Sequence, residues 1–194
     1  MSNSTILALI AGSLIATGAL AQNAATEVQR NANQQERILE GLRSGQLNTH
    51  EAARLEREEA AVERMQSRAL RDGKLSDAEK SRIDAAQDKV SRDIYREKHD
   101  AQTGNPNSAS SQRMQAGVQR NVNQQHRIEQ GIRSGELNNR EVGRLEHGQA
   151  RTNRIQANAG ADGHVGKYEQ HRIQRNENAQ SRRIYREKHD GQQQ

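Results

Sequence analysis

The sequence Val28-Gln-Arg-Asn-Ala-Asn-Gln-Gln returns ninety residues later as Val118-Gln-Arg-Asn-Val-Asn-Gln-Gln. The offset holds without a gap. Gly41-Leu-Arg-Ser-Gly-Gln-Leu-Asn meets Gly131-Ile-Arg-Ser-Gly-Glu-Leu-Asn, and Ile94-Tyr-Arg-Glu-Lys-His-Asp meets an identical block from Ile184 to Asp190. Whatever one copy folds into, the other must fold into as well, so the architecture has to come in two related halves.

Within a copy the pattern is helical. Three helices are expected in the first copy, over 27–44, 49–71 and 77–98. The third carries the clearest stripe, with Leu75, Ile83, Ala86, Val90 and Ile94 at helical spacing. Gln, Arg, Glu and Ala are strong helix formers, and no stretch alternates as a strand would. The fold class expected is all-α: two tandem three-helix modules joined by a flexible linker. Residues 101–117 have linker composition, with the only proline, Pro106, beside Gly104 and several Ser and Asn.

Composition limits how well such modules can pack. Only 2% of residues are aromatic, and Trp, Phe and Cys are absent. Burying one large apolar side chain contributes about 1.5–3 kcal/mol, so a chain this poor in them is expected to be marginal or to lean on a partner or ion. The copies also differ. Between 28 and 100 there are 15 basic and 15 acidic residues; between 118 and 190 there are 14 and 9. Ala86 and Val90 become Asn176 and Gln180, which makes the first copy the better patterned.

The flanks are distinct. Residues 1–21 have no charged side chain and an apolar run from Ile6 to Leu20. Ala19-Leu20-Ala21 then supplies a small-residue cleavage pattern, which together reads as a secretory signal peptide. A periplasmic or secreted protein is expected, with a first helical repeat over 22–100, a second over 118–190 and a disordered tail over 191–194. With no Cys, it has neither disulfide nor thiol chemistry.

The junctions between helices read Gly45-Gln-Leu47-Asn-Thr-His-Glu51, Gly73-Lys-Leu75-Ser-Asp-Ala-Glu79, Gly135-Glu-Leu137-Asn-Asn-Arg-Glu141 and Gly163-His-Val165-Gly-Lys-Tyr-Glu169. One reading is structural. Gly closes the preceding helix in a left-handed conformation, Asn48, Ser76 or Asn138 caps the next, and Glu three residues on completes a capping box. Gly166 interrupts the pattern in the fourth joint.

The same spacing resembles the second half of an EF-hand calcium loop, in which Gly, an aliphatic residue and a closing Glu stand in this phase. The chain as a whole resembles small secreted proteobacterial proteins with EF-hand-like tandem repeats. The resemblance implies helix-loop-helix joints and a candidate ligand set of Glu40, Ser44, Glu51, Asp72, Glu79, Glu141, Asp162 and Glu169. The ligand positions are poorly filled: Leu42, Leu70 and Ile132 cannot bind a hard cation and Arg68 would repel one. Tight calcium binding is therefore not expected.

The block repeated from Ile94 to Asp100 offers a second place for an ion. His99 and His189 could serve a transition metal, or favour the negative helix C-terminus. No nucleophile, zinc or phosphate-loop motif of an enzyme is present. The expectation is a non-enzymatic exported helical protein with an interaction, structural or stress-associated role in the cell envelope. One alternative is low-affinity binding of Ca²⁺ or a transition-metal ion. A second is polyanion binding through the basic second repeat. Nucleic acid and a membrane span in the mature chain are not expected, and an envelope or protein partner is.

Overall fold

The computed structural model describes residues 14–190, with side chains from Asn23 onward; the start of the proposed signal peptide and the 191–194 tail lie outside the described residues. Each copy forms three α-helices: α1 Leu14–Ser44, α2 Thr49–Ala69 and α3 Asp77–Lys98, then α4 Ala109–Arg133, α5 Asn139–Ala159 and α6 Lys167–His189. A 3-10 turn, Leu70–Asp72, extends α2. The described residues contain no strand, and no helix among them is long and apolar enough to cross a membrane.

The joints form as the capping reading requires. Gly45, Gly73, Gly135 and Gly163 all have φ between 76 and 88°, a conformation that costs Gly little and other residues much. Asn48, Ser76 and Asn138 each accept from the backbone N–H of the Glu three residues on, and that Glu accepts from the cap residue's N–H in return. At Gly166 only the return bond survives, from the Gly166 N–H to Glu169 at 2.8 Å.

The copies do not close separate cores. The most extensive helix contacts run between them, α2 against α5 and α1 against α4. Arg43 donates to Gln119 and Arg133 to Gln29, while His126 meets Glu36 at 2.9 Å. One residue number rises as the other falls, so α1 and α4 are antiparallel. Glu36 and His126 are also equivalent positions of the two copies, which places them beside a pseudo-two-fold axis.

Two apolar clusters follow from this symmetry, one at each end of the bundle. The first joins Ile38, Leu42, Leu47, Leu55 and Ile94 to Val118, Val165 and Ile173 of the other copy. The second joins the equivalents Ile128, Ile132, Leu137, Leu145 and Ile184 to Val28, Leu75 and Ile83. Each core thus draws on both copies. The connection is not loose either. Gly104 donates its N–H to the Gly45 carbonyl at 2.8 Å, and residues 109–117, expected as linker, are the first turns of α4. Ser108 caps α4, and Met114 of this stretch is fully buried.

Between the apolar clusters the bundle is filled by a polar layer. Asn31, Gln35, Glu56, Glu59, Glu63 and Gln66 are buried, as are their counterparts Asn121, Gln125, Glu146, Gln149, Asn153 and Gln156. Asn31 donates to Gln66 at 2.6 Å and Asn121 to Gln156 at 2.6 Å. Gln35 donates to Glu56 at 3.1 Å, and Gln125 to Glu146 at 3.4 Å. Hydrogen-bonded amides fill part of the space that large apolar residues would fill elsewhere, each bond contributing about 1 kcal/mol, while the Glu59 carboxyl and the Gln149 amide are buried without a hydrogen-bond partner. Burial drives the Glu56 and Glu146 carboxyls up to about 8. Glu59 and Glu63 are also raised well above the usual range, first by burial and then by neighbouring carboxyls.

The polar substitutions in the second copy are accommodated. Gln180, in the place of Val90, is buried and donates to the Leu145 carbonyl at 2.9 Å. Gly148, in the place of Glu58, makes room for it, because a side chain there would collide with the Gln180 amide.

Candidate functional site

The end of α3 folds back over the start of α2. This brings Glu97 and Asp100 to Glu51, with one carboxylate oxygen of each lying within 4.8 Å of the others. The second copy repeats the arrangement with Glu141, Glu187 and Asp190. Because α1 and α4 are antiparallel, the two triads lie at opposite ends of the molecule.

Glu51 and Glu141 are each buried and used on one side only. Oε2 accepts from the N-cap backbone N–H, of Asn48 at 2.9 Å and of Asn138 at 2.8 Å. Oε1 is buried in both and has no hydrogen-bond partner. Burial raises both carboxyls above their ordinary range, and the adjacent carboxylates, Asp100 with Glu97 and Asp190 with Glu187, push in the same direction. Arginines offset part of the charge. Arg54 reaches Glu97 at 3.2 Å, and Arg144 reaches Glu187 at 2.8 Å and lies 3.8 Å from Glu141 Oε1. An oxygen-ligated cation suits such a set, since it would relieve the crowding of three carboxylates and engage the Oε1 that accepts no hydrogen bond.

The EF-hand-like ligand set is not brought together. Glu40 is exposed and pairs with Lys98 at 2.8 Å, while Ser44 bonds the Gly41 carbonyl and Gln46. Asp72 accepts from the Lys74 N–H and Asp162 from the His164 N–H, both at 2.9 Å. Glu79 and Glu169 serve their caps. Apart from Glu40, these side chains satisfy backbone groups of the turns, so the joint residues act as turn makers and only Glu51 and Glu141 reach a cluster. His99 and His189 stack on Tyr95 and Tyr185, with ring centroids 4.1 and 4.2 Å apart, and each Nδ1 lies 2.7 Å from the tyrosine's carbonyl oxygen. Glu97, Asp100, Glu187 and Asp190 were in view only as part of the repeated terminal block. That this block ends on Asp in both copies was the available signal; its meeting with the joint Glu is tertiary.

No family model, curated protein or solved structure matches the chain.

Proposed function

We propose that the chain is an exported, non-catalytic helical protein that binds divalent cations weakly at two equivalent sites, one at each end. The observation that carries this reading is the duplicated Glu-Glu-Asp triad, in each of which the buried Oε1 of Glu51 or Glu141 has no hydrogen-bond partner. All the candidate ligands are carboxylate oxygens, which favours Ca²⁺ or Mn²⁺ over Cu²⁺. The arginines in contact with Glu97 and Glu187 compete for the same oxygens and hold the affinity low. Export rests on the charge-free 1–21 segment with its Ala19-Leu20-Ala21 ending.

Titration of the protein from residue 22 onward with Ca²⁺, Mn²⁺, Zn²⁺, Cu²⁺ and Ni²⁺, followed by calorimetry and circular dichroism, tests it. Two sites per chain with millimolar to micromolar affinity are expected, and Asp100→Asn should remove one while Asp190→Asn removes the other. A flat response to every ion would end the proposal.

A second reading, an interaction component of the envelope, draws on Tyr95, Tyr168 and Tyr185. These are the exposed large hydrophobic residues of the described chain, between 59 and 78% accessible. A pull-down that loses a partner when Tyr95 and Tyr185 are replaced by Ser would support it.

A further inference from the structure

The two ends of the molecule are equivalent in backbone but not in charge. At the second-copy joint, a groove of about 540 Å³ opens between the 3-10 turn after α2, the start of α5 and the end of α6. Arg71, Arg140, Arg144 and Arg183 line it, with His147 and a single carboxylate, Glu187. The groove belongs to both copies. Gly143 lets α5 approach the end of α2, since a Cβ there would lie 3.1 Å from Leu70 Cβ, and that approach sets Arg71 of the first copy beside Arg140 and Arg144 of the second.

The fold itself does not require these cations. Shifted by ninety residues, the same places hold Ala161, His50, Arg54, Asp93, Arg57 and Glu97. Two guanidinium groups there face two carboxylates, whereas the groove has four against one. Asp93, the counterpart of Arg183, is held by Lys89 at 2.5 Å and Arg96 at 2.7 Å. In the groove, Arg144 is engaged by Glu187 at 2.8 Å, and Arg140 donates to the Asp72 carbonyl at 3.1 Å. The side chains of Arg71 and Arg183 make no ion pair or hydrogen bond among the described residues. Like charges gathered from three elements cost energy unless an anion joins them, and the planar guanidinium fork fits phosphate oxygens in pairs.

We propose that this groove binds a ligand with two or more adjacent phosphate groups. One phosphate is held by the unpaired Arg71 and Arg183, and the next by Arg140 and by Arg144 once it turns from Glu187. The site adjoins the second cation triad, with which it shares Glu187 and Arg144, but it needs no bound metal.

Calorimetric titration with orthophosphate, pyrophosphate and tripolyphosphate in chelator-containing buffer tests the soluble source. Sedimentation with vesicles bearing doubly phosphorylated headgroups, against vesicles of neutral lipid, tests the lipid source. Affinity is expected to rise from orthophosphate to tripolyphosphate and to fall steeply with salt. Arg183→Asp, which installs the residue that the same position holds in the first copy, should weaken binding about tenfold or more. Arg71→Gln should weaken it less, and Arg57→Gln at the opposite end should leave it unchanged. Binding to vesicles alone would assign the ligand to lipid, and binding in both arms to phosphate chemistry in general. Absence of binding in both arms, or an Arg183→Asp protein that keeps its helicity and binds as the parent does, would overturn the proposal.

Discussion

Glu63 and Asn153 occupy the same position of the two copies and touch each other: the Asn153 amide donates to both carboxylate oxygens of Glu63 at 2.9 Å. With Glu36 and His126 they mark the pseudo-two-fold axis through the bundle. Gln125 is a second donor, 2.9 Å from Glu63 Oε1. Asn153→Ala leaves the Glu63 carboxyl buried with one donor instead of two. It should destabilise the protein by about 1–3 kcal/mol in urea unfolding at neutral pH, and an unchanged midpoint would refute the role given to this pair.

The polar layer makes stability depend on pH in a defined direction. In the fold, burial raises Glu56 and Glu146 to about 8 and Glu177 to about 7, from an ordinary value of 4.5. Between those limits the folded chain holds protons that the unfolded chain releases, so stability is fully present below about 4.5 and declines as pH rises toward 8. The melting temperature should fall from pH 5 to pH 8.5. Glu56→Gln together with Glu146→Gln should flatten that slope and raise the melting temperature at the alkaline end. A parent protein that gains stability across this interval would contradict the assignment.

Gln180 and Gly148 form a compensated pair. Gly148→Ala alone drives a methyl group into the Gln180 amide and should cost about 1–3 kcal/mol. Adding Gln180→Val, the residue found at position 90, removes the collision. The double variant should then exceed the parent, because Ala is the better helix former by about 1 kcal/mol. Thermal melts of the three variants decide this; a Gly148→Ala protein as stable as the double variant would show that no such coupling exists.

A single copy should be unable to stand alone, since each apolar cluster draws on both. Residues 22–108 expressed in isolation should be unfolded as a monomer, or should pair into a symmetric dimer in which a second copy takes the place of α4 and α5. That dimer would set Glu63 against Glu63, so it should form at pH 5 and come apart at pH 8, with Glu63→Asn relieving the dependence. Light scattering across pH reads the outcome, and a folded monomer at both values would disprove the shared core.

The helices and their joints could be read from residues, because their causes are local. A left-handed Gly, an N-cap and a Glu three positions on are all set within one turn. Gly41 and Gly131 were less obvious: each leaves the space into which Leu47 and Leu137 insert, where a Cβ would lie 2.6 Å from the leucine side chain. The pairing of the copies was hidden for a different reason. Gln35, Glu56, Glu59 and Gln125 have the chemistry of solvent-facing helix residues, and only their mutual placement makes them interior. A search for apolar stripes passes over such a layer and finds a chain too polar to fold well. The triads were half visible, with Glu51 and Glu141 singled out for a loop geometry they do not adopt and their true neighbours lying some fifty residues away.

The antiparallel packing of α1 on α4 has one more consequence. It sends the Arg71–Arg183 groove to one tip of the molecule and its charge-balanced counterpart to the other, giving a nearly symmetric backbone an electrical heading. Beside a negatively charged surface, such a body experiences a torque before it makes any contact, and it would arrive groove first.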